Sequence, residues 1–241
     1  MASATSPFQS VSGLQYRVKS LPVQIGKVLL WMLCLEDLNR TIDEIFAELE
    51  KTGRASLLDE LCPYFGTLWP SARALAEAIA EQPAPYRHCH VLELGCGLAL
   101  PSLVAARLGA YAYVSDFHPD VPEFLRRNLE LNELTGVEYG PIAWKDDCDS
   151  SATPPARRFE RIIASDVLYE KEHPPKLAAT VAHYLAPGGV ALIADPGRPY
   201  LQAFVDDMKR RGFECETRIK RVDDVPAARE IFLLELRIGQ T

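Results

Sequence analysis

The chain has 241 residues, of which 48% are hydrophobic and 24% are charged, and this balance is typical of a folded globular protein. Its formal net charge of −7 disfavours a nucleic-acid partner, because a protein that holds a phosphate backbone needs an excess of lysine and arginine. The six cysteines form no CxxC pair, and a chain of this length needs no disulfide staples. Reduced thiols and a cytoplasmic location are therefore expected.

The first sixty residues are predicted to form a tail and a helical appendage ahead of the main domain. The tail, residues 1–13, lacks the basic start and apolar core of a signal peptide. The longest apolar run, VLLWMLCL at 28–35, is far shorter than the ~20 residues of a membrane-spanning helix, so no membrane partner is expected. From Leu35 onward, apolar residues recur with a helical period, and Gly53 is placed to end this helix. We expect this helix to pack as a lid or brace.

From residue 90 onward, short apolar strands alternate with helical stretches. Strands are predicted at 90–94, 111–116, 137–143, 161–166 and 190–195. Helices are predicted at 99–109, 119–132, 175–185 and 199–211. A polar surface loop is predicted at 146–158. The alternation predicts a parallel sheet that is covered by helices on both faces.

The end of the chain has a different pattern. Two longer strand-like runs, at 213–222 and 229–238, have only a short loop between them and predict an antiparallel hairpin at one edge of the sheet. The expected fold class is therefore α/β, with a seven-stranded, mostly parallel sheet, a C-terminal antiparallel hairpin and a small N-terminal helical region. The expected boundaries are 1–60 for the appendage and 61–241 for the domain.

A glycine corner follows the strand at 90–94, in the sequence ELGCG. Gly95 and Gly97 allow a tight turn and a close approach of the backbone to a ligand. In open parallel sheets, ligands bind beyond the carboxyl ends of the strands. A dinucleotide site would need a third glycine where this chain has Leu100. The pattern thus disfavours a nicotinamide cofactor and favours S-adenosylmethionine.

Two acids accompany the corner. Asp116 ends the next strand, about twenty residues further on, where an acid binds ribose hydroxyls. Alternatively, Asp116 caps the helix that follows. Glu93 lies inside an apolar strand, where an unpaired charge is costly. We therefore expect Glu93 to have backbone amides or waters near a bound amino group as its partners.

These motifs resemble those of a known group of enzymes. ELGCG followed by Asp116 resembles the first two motifs of class I S-adenosylmethionine-dependent methyltransferases, which share a Rossmann-like fold. Three further segments are similar to the seven-strand protein lysine methyltransferases of methyltransferase family 16: FGTLWPSARALA at 65–76, IAWKD at 142–146 and ASDVLYE at 164–170. ADPGRPY at 194–200 resembles the branch that methylates the β-subunit of electron transfer flavoprotein. The resemblance covers the chain from about residue 61 to its end, and it departs from the family where Ala99 replaces a third glycine.

The resemblance implies a cofactor site for S-adenosylmethionine. Glu93, Gly95 and Gly97 would surround its methionine part. Asp116 would hold the ribose hydroxyls and Trp144 would lie against the adenine. Two further residues complete the site: Trp69, on its N-terminal side, and Ser165, at the strand end beneath the cofactor.

The resemblance also implies an acceptor site at Asp166-Val167-Leu168-Tyr169. Lysine has an ordinary pKa of about 10.4 and must lose a proton before it attacks. Asp166 would attract the ammonium and Tyr169 would orient it by its hydroxyl or its ring face. Alternatively, Asp166 caps the following segment. The loop lacks the Asn/Asp-Pro-Pro-aromatic sequence of enzymes that methylate base amines, which further disfavours nucleic acid.

The expected function is S-adenosylmethionine-dependent methylation of a lysine side chain on a protein substrate, with Asp166 and Tyr169 as catalytic residues. Two alternatives stay open: a small-molecule N- or O-methyltransferase, and a non-catalytic binding module that keeps the fold. No metal is expected, because the residues of His88-Cys89-His90 would alternate between the two faces of a strand.

Overall fold

The structure, a computed structural model, describes residues 8–145, 157–223 and 229–239. The predicted tail up to residue 7 and the predicted polar loop up to residue 156 lie outside the described residues. Two antiparallel strand pairs open the described part: β1 (Phe8–Gln9) with β2 (Gln15–Tyr16), and β3 (Val18–Ile25) with β4 (Val28–Leu35). Helix α1 (Leu38–Lys51) and the short helix α2 (Leu58–Leu61) follow.

The sequence pattern had indicated a helical N-terminal region, but the structure shows strands there as well as a helix. Helix α1 confirms the predicted helix, and Asp37 caps it by accepting the N–H of Arg40 at 2.9 Å. The hairpin β3–β4 was not predicted. All eight residues of β4 are apolar, so the alternation between buried and exposed positions over its first half leaves no trace in the sequence. Pro22 within β3 also argues against a strand.

The centre of the molecule is a seven-stranded sheet. Its strands are β5 (His90–Leu94), β6 (Tyr111–Ser115), β7 (Val137–Tyr139), β8 (Phe159–Ser165), β9 (Leu185–Asp195), β10 (Phe213–Val222) and β11 (Arg229–Ile238). They lie in the order β10-β11-β9-β8-β5-β6-β7. The hairpin β10–β11 is antiparallel and joins β9 in antiparallel register, and the other pairs are parallel. The predicted fold class is thus confirmed, although β7 is shorter than the predicted strand at 137–143.

Five helices surround the sheet: α3 (Pro70–Glu81), α4 (Leu100–Arg107), α5 (Val121–Leu131), α6 (His173–Tyr184) and α7 (Leu201–Arg210). Neighbouring residues of a strand belong to different hydrophobic clusters. Val91 of β5 packs in a cluster with apolar residues of α3, α4 and α5, whereas Leu92 packs with those of α6 and α7. Both faces of the sheet are therefore buried, as the continuous apolar strands require. No helix in the described part of the chain has the length and apolar character needed to cross a membrane.

The hairpin β3–β4 is fastened to α5 by two asparagines one turn apart. Asn132 accepts the N–H of Trp31 at 2.8 Å and donates to its carbonyl at 2.7 Å. Asn128 accepts the N–H of Leu33 at 2.7 Å and donates to its carbonyl at 3.3 Å. The two side chains thus supply the hydrogen bonds that a neighbouring strand would make.

A second tie joins the N-terminal region to α5. Buried Asp120, at the start of that helix, accepts the backbone N–H of Ser12 at 3.0 Å and its hydroxyl at 2.6 Å. It also accepts the hydroxyl of Tyr16 at 2.7 Å, and burial raises the pKa of Tyr16. The hydrophobic cluster that contains α5 also includes residues of β3, β4 and α1. Residues before and after position 60 therefore share one core, and the boundary there stays a prediction.

Candidate active site

A cavity of about 310 Å³ lies beyond the carboxyl ends of β5, β6 and β8. Its volume is that of a small-molecule site. Its wall includes eight of the nine predicted site residues: Trp69, Gly95, Gly97, Asp116, Trp144, Ser165, Asp166 and Tyr169. The sheet brings them together because parallel strands present their carboxyl ends at one edge.

The corner after β5 depends on both of its glycines. Gly95 and Gly97 have φ of 64° and 50°, in the left-handed region that favours glycine. A Cβ atom on Gly95 would lie 2.6 Å from Cγ1 of Val167, and one on Gly97 would lie 3.1 Å from the carbonyl oxygen of Phe65. Ala99 has φ of 58°, so the alanine that replaces the family's third glycine keeps a left-handed backbone.

Asp116 ties the end of β6 to the glycine corner. Its Oδ2 accepts the N–H of Gly97 at 2.9 Å, and its Oδ1 accepts the N–H of His118 at 3.1 Å. Burial raises the pKa of Asp116, and these backbone donors oppose that rise. The N-cap position of α5 belongs to Asp120, so the alternative that Asp116 caps this helix is wrong.

Glu93 lies beneath the corner and is not part of the cavity wall. It is fully buried, and its Oε2 accepts the N–H of Ser102 in the first turn of α4 at 3.1 Å. Its Oε1 has no partner among the described residues. Burial raises the pKa of Glu93 to about 8. The structure gives Glu93 the backbone amide partner that the sequence led us to expect, and through it Glu93 supports the helix that follows the corner. Its place around the methionine part of a cofactor stays a prediction.

Aromatic side chains form much of the remaining wall. Trp69 directly precedes α3, and its Nε1 donates to the carbonyl of Tyr64 at 3.0 Å. Trp144 meets His173 edge to face, with 5.6 Å between ring centroids. Phe117 also lines the cavity, is 65% exposed and was not predicted. Its position directly after Asp116 was the only available signal.

Asp166 is already paired with an arginine. It follows β8 with φ of 61°, and its Oδ1 accepts Nε of Arg198 at 3.1 Å as well as Nη2 of the same side chain. Helix α6 begins at His173 with Glu172 at its N-cap position, so the alternative that Asp166 caps this helix is wrong. Arg198 was missed as a site residue, because its segment, ADPGRPY, carried only a family resemblance. A cation of the chain itself thus occupies Oδ1 of Asp166, and the expectation that Asp166 attracts an ammonium stays a prediction.

Tyr169 stands beside this pair in the cavity wall. The guanidinium carbon of Arg198 lies 5.9 Å from the centre of its ring, and the ring of His173 meets it edge to face at 4.6 Å. Burial, followed by the nearby Glu170, raises the pKa of Tyr169 to about 12. The hydroxyl therefore stays protonated at neutral pH and is available as a hydrogen-bond donor.

The strand order, the C-terminal antiparallel hairpin and the cavity at the glycine corner define a class I, Rossmann-like methyltransferase fold. A ribosomal RNA methyltransferase from T. thermophilus, solved with AdoMet and guanosine, shares this fold with a TM-score of 0.56 and 18% sequence identity over 89% of this chain and 50% of its own.

The chain belongs to the lysine methyltransferase family, whose sequence model matches residues 63–210. It is 33% identical over 153 residues to the calmodulin-lysine N-methyltransferase of Arabidopsis thaliana, which covers 60% of this chain and 49% of the relative. It is 28% identical over 148 residues to the electron transfer flavoprotein beta subunit lysine methyltransferase of Mus musculus, covering 61% and 55%. Histone-arginine methyltransferase METTL23 of Homo sapiens is 32% identical over 121 residues, covering 47% and 60%. In the first two cases the match spans about half the length of the relative.

Proposed function

We propose that this protein transfers the methyl group of S-adenosylmethionine to a lysine side chain of a protein substrate. The observation that carries the proposal is the composition of one cavity wall, which holds the glycine corner and Asp116 together with Asp166 and Tyr169. Membership of the lysine methyltransferase family and the names of two relatives support the choice of acceptor.

The residues of the cavity fit this cofactor. The Asp116 carboxylate forms part of the wall and suits ribose hydroxyls, and Trp144 and Phe117 offer flat surfaces for an adenine. The absence of Cβ atoms at Gly95 and Gly97 leaves room at the corner. S-adenosylmethionine supplies a methyl group that is already activated by its sulfonium. The residues of this chain then have to bind and orient the two reactants and exclude water, and positioning alone accounts for ~7–11 kcal/mol of a barrier.

The first test is a direct binding measurement. Titration calorimetry with S-adenosylmethionine should show one site per chain, and absence of binding would favour the non-catalytic module instead. Labelled S-adenosylmethionine added to a lysate of the source cells should then label protein bands. Label confined to small molecules would favour the small-molecule alternative. Mass spectrometry of the labelled protein should find methyl-lysine, whereas methyl-arginine would assign the chain an acceptor like that of its histone-arginine relative.

The prediction for the cofactor end concerns Asp116→Asn. The variant keeps the size of the side chain but loses the charge, and a hydrogen bond to a charged group contributes ~1.5–3 kcal/mol. We therefore expect S-adenosylmethionine affinity to fall by ~10- to 100-fold, as measured by calorimetry. Asp207→Asn is the matched control, because Asp207 is a similarly buried carboxylate that lies on α7 away from the cavity. Equal affinity in both variants would remove Asp116 from the site.

We also propose a cytoplasmic location without a nucleic-acid partner. Five cysteines in the described part of the chain are free thiols, as expected in a reducing compartment. The net charge of −7 opposes binding to a phosphate backbone. Fluorescence microscopy of the tagged protein tests the location, and electrophoretic mobility shift with total RNA tests the partner.

A further inference from the structure

The ion pair between Arg198 and Asp166 connects the cavity to a part of the chain outside it. Asp166 lines the cavity and its side chain is only 7% exposed, whereas Arg198 approaches from the loop after β9 and is not part of the wall. Nε and Nη2 of Arg198 both donate to Oδ1 of Asp166. The other carboxylate oxygen, Oδ2, accepts no hydrogen bond from the described residues, so it stays available to the amine that receives the methyl group.

The loop that carries Arg198 is held in a fixed shape. Oδ1 of Asp195 accepts the backbone N–H of Gly197 at 2.8 Å and that of Arg198 at 2.7 Å. Gly197 has φ of 86°, and a Cβ atom there would lie 2.9 Å from the ring of Phe232. These contacts constrain the backbone that carries Arg198, and the guanidinium of Arg198 donates to Asp166 from there.

The other charged and titratable groups around Asp166 and Tyr169 are both acidic and basic. They are Asp195 at the end of β9, Asp116 after β6, Tyr169 and Glu170 before α6, His173 and Lys176 on α6, and Tyr64 before α3. Within the described part of the chain, Arg198 is the only cation that makes an ion pair with Asp166. It is therefore the group whose loss changes the charge state around Asp166 most directly.

A lone carboxylate beside a lysine would oppose methylation. It favours the charged ammonium and raises the pKa of the amine by ~1–3 units, although only the neutral amine has the electron pair that attacks a methyl group. A carboxylate that is paired with an arginine exerts much less of this effect while its second oxygen can still orient the amine.

We propose that Arg198 is a positioning residue that neutralises Asp166 and thereby lets the acceptor amine lose its proton. The ammonium N–H bond breaks, the proton leaves to water, and the electron pair stays on nitrogen. The proposal rests on the proposed function, because it assigns Asp166 to the acceptor end of the methyl-transfer site. Arg198 acts only through Asp166 and touches neither reactant.

The first test uses n-butylammonium chloride, which has the chain length of a lysine side chain, in the presence of S-adenosylhomocysteine. Arg198→Met removes the charge and should increase n-butylammonium affinity at pH 7 by about tenfold, since one pKa unit corresponds to a factor of ten. Arg198→Gln keeps a donor for Asp166 without the charge and should show the same direction, which covers the case that Arg198→Met folds poorly. Arg198→Lys should restore affinity close to that of the wild type.

The second test follows methyl transfer to the protein acceptor found in the lysate experiment. In Arg198→Met, kcat and KM should fall together at pH 7, while the pH–rate profile moves by about one unit to the alkaline side. Arg211→Met is the matched control, because Arg211 is ion-paired with Asp207 and its side chain is 34% exposed, against 30% for Arg198. Arg211→Met should leave kcat, KM and the pH–rate profile unchanged.

The outcomes separate the two claims. Unchanged n-butylammonium affinity and an unchanged pH profile in both uncharged variants would overturn the role of Arg198, even if their melting temperatures fall. A wild-type protein that labels no protein in the lysate would instead overturn the proposed function. The n-butylammonium titration still decides the effect of Arg198 on Asp166 in that case.

Discussion

At the scale of single residues, the site depends on acids whose surroundings differ sharply. Asp116 accepts two backbone N–H groups, Asp166 is paired with Arg198, and Glu93 is buried with one oxygen unpaired among the described residues. Three carboxylates that look alike in the sequence thus hold a corner, pair with an arginine and support a helix. The positions of Asp116 and Asp166 at strand ends could be predicted, because the apolar strands mark the edge of the sheet. Which residues partner the three carboxylates could not be predicted, because Arg198 is 32 residues from Asp166 and Ser102 carries no pattern that links it to Glu93.

The buried Glu93 predicts a specific dependence of stability on pH. Burial raises its pKa in the folded state to about 8, above the ordinary value of 4.5 expected in the unfolded chain. The folded state therefore binds the proton more tightly, and the free energy of unfolding should fall between about pH 4.5 and about pH 8, by up to about 1.4 kcal/mol per pH unit. Glu93→Gln keeps an acceptor for Ser102 and should remove this part of the dependence.

Urea unfolding of both proteins at pH 5, 6.5 and 8 measures this difference. The free energy of unfolding of Glu93→Gln, relative to that of the wild type, should be lowest at pH 5 and should rise steadily up to pH 8. Glu216→Gln, at an exposed position on β10, is the control and should follow the wild type throughout. Parallel curves for Glu93→Gln and the wild type would show that Glu93 does not titrate in this range.

At the scale of secondary-structure elements, sequence periodicity succeeded where burial alternates with polarity. Strands β10 and β11 have the predicted bounds, because charged residues occupy most of their exposed positions, although Ile219 and Ile238 are exposed as well. The hairpin β3–β4 escaped prediction since its exposed positions on β4 are apolar, as in Leu29 and Trp31. Its place against α5 also depends on Asn128 and Asn132, which look like ordinary helix-surface residues in the sequence.

The asparagine contacts to β4 give a prediction for this element. Asn128→Ala leaves the N–H and carbonyl of Leu33 without partners in a buried position, and each unsatisfied group costs ~1–3 kcal/mol. We expect urea denaturation to show a loss of at least ~2 kcal/mol in the free energy of unfolding. Gln202→Ala is the control: its exposed hydrogen bond to Asp206 on α7 should contribute less than ~0.5 kcal/mol. A loss of similar size in both variants would mean that α5 does not fasten the hairpin.

At the scale of the whole molecule, the N-terminal region and the sheet share their core. Tyr16, Leu30 and Met32 are fully buried in the same hydrophobic cluster as Phe124 of α5. We predict that a chain reduced to residues 61–241 does not fold cooperatively, because it exposes this surface and leaves Asp120 without its partners from the N-terminal region.

Circular dichroism during urea unfolding and binding of a hydrophobic dye test this expectation. The shortened chain should unfold without a sigmoidal transition and should bind the dye. The full chain should unfold in a sigmoidal transition and should not bind the dye. A cooperative transition together with normal S-adenosylmethionine affinity would instead establish residues 61–241 as an autonomous domain.

The fastening of β4 through its backbone has a consequence for how this surface can diversify. The contacts of Asn128 and Asn132 are to N–H and carbonyl groups, which every residue except proline offers equally. The side chains of Leu29 and Trp31 point outward, are 51% and 47% exposed, and take no part in these contacts. Substitutions at Leu29 and Trp31 can therefore change the chemistry of this exposed face while the backbone contacts to α5 persist, so the face can diversify independently of the sheet that it covers.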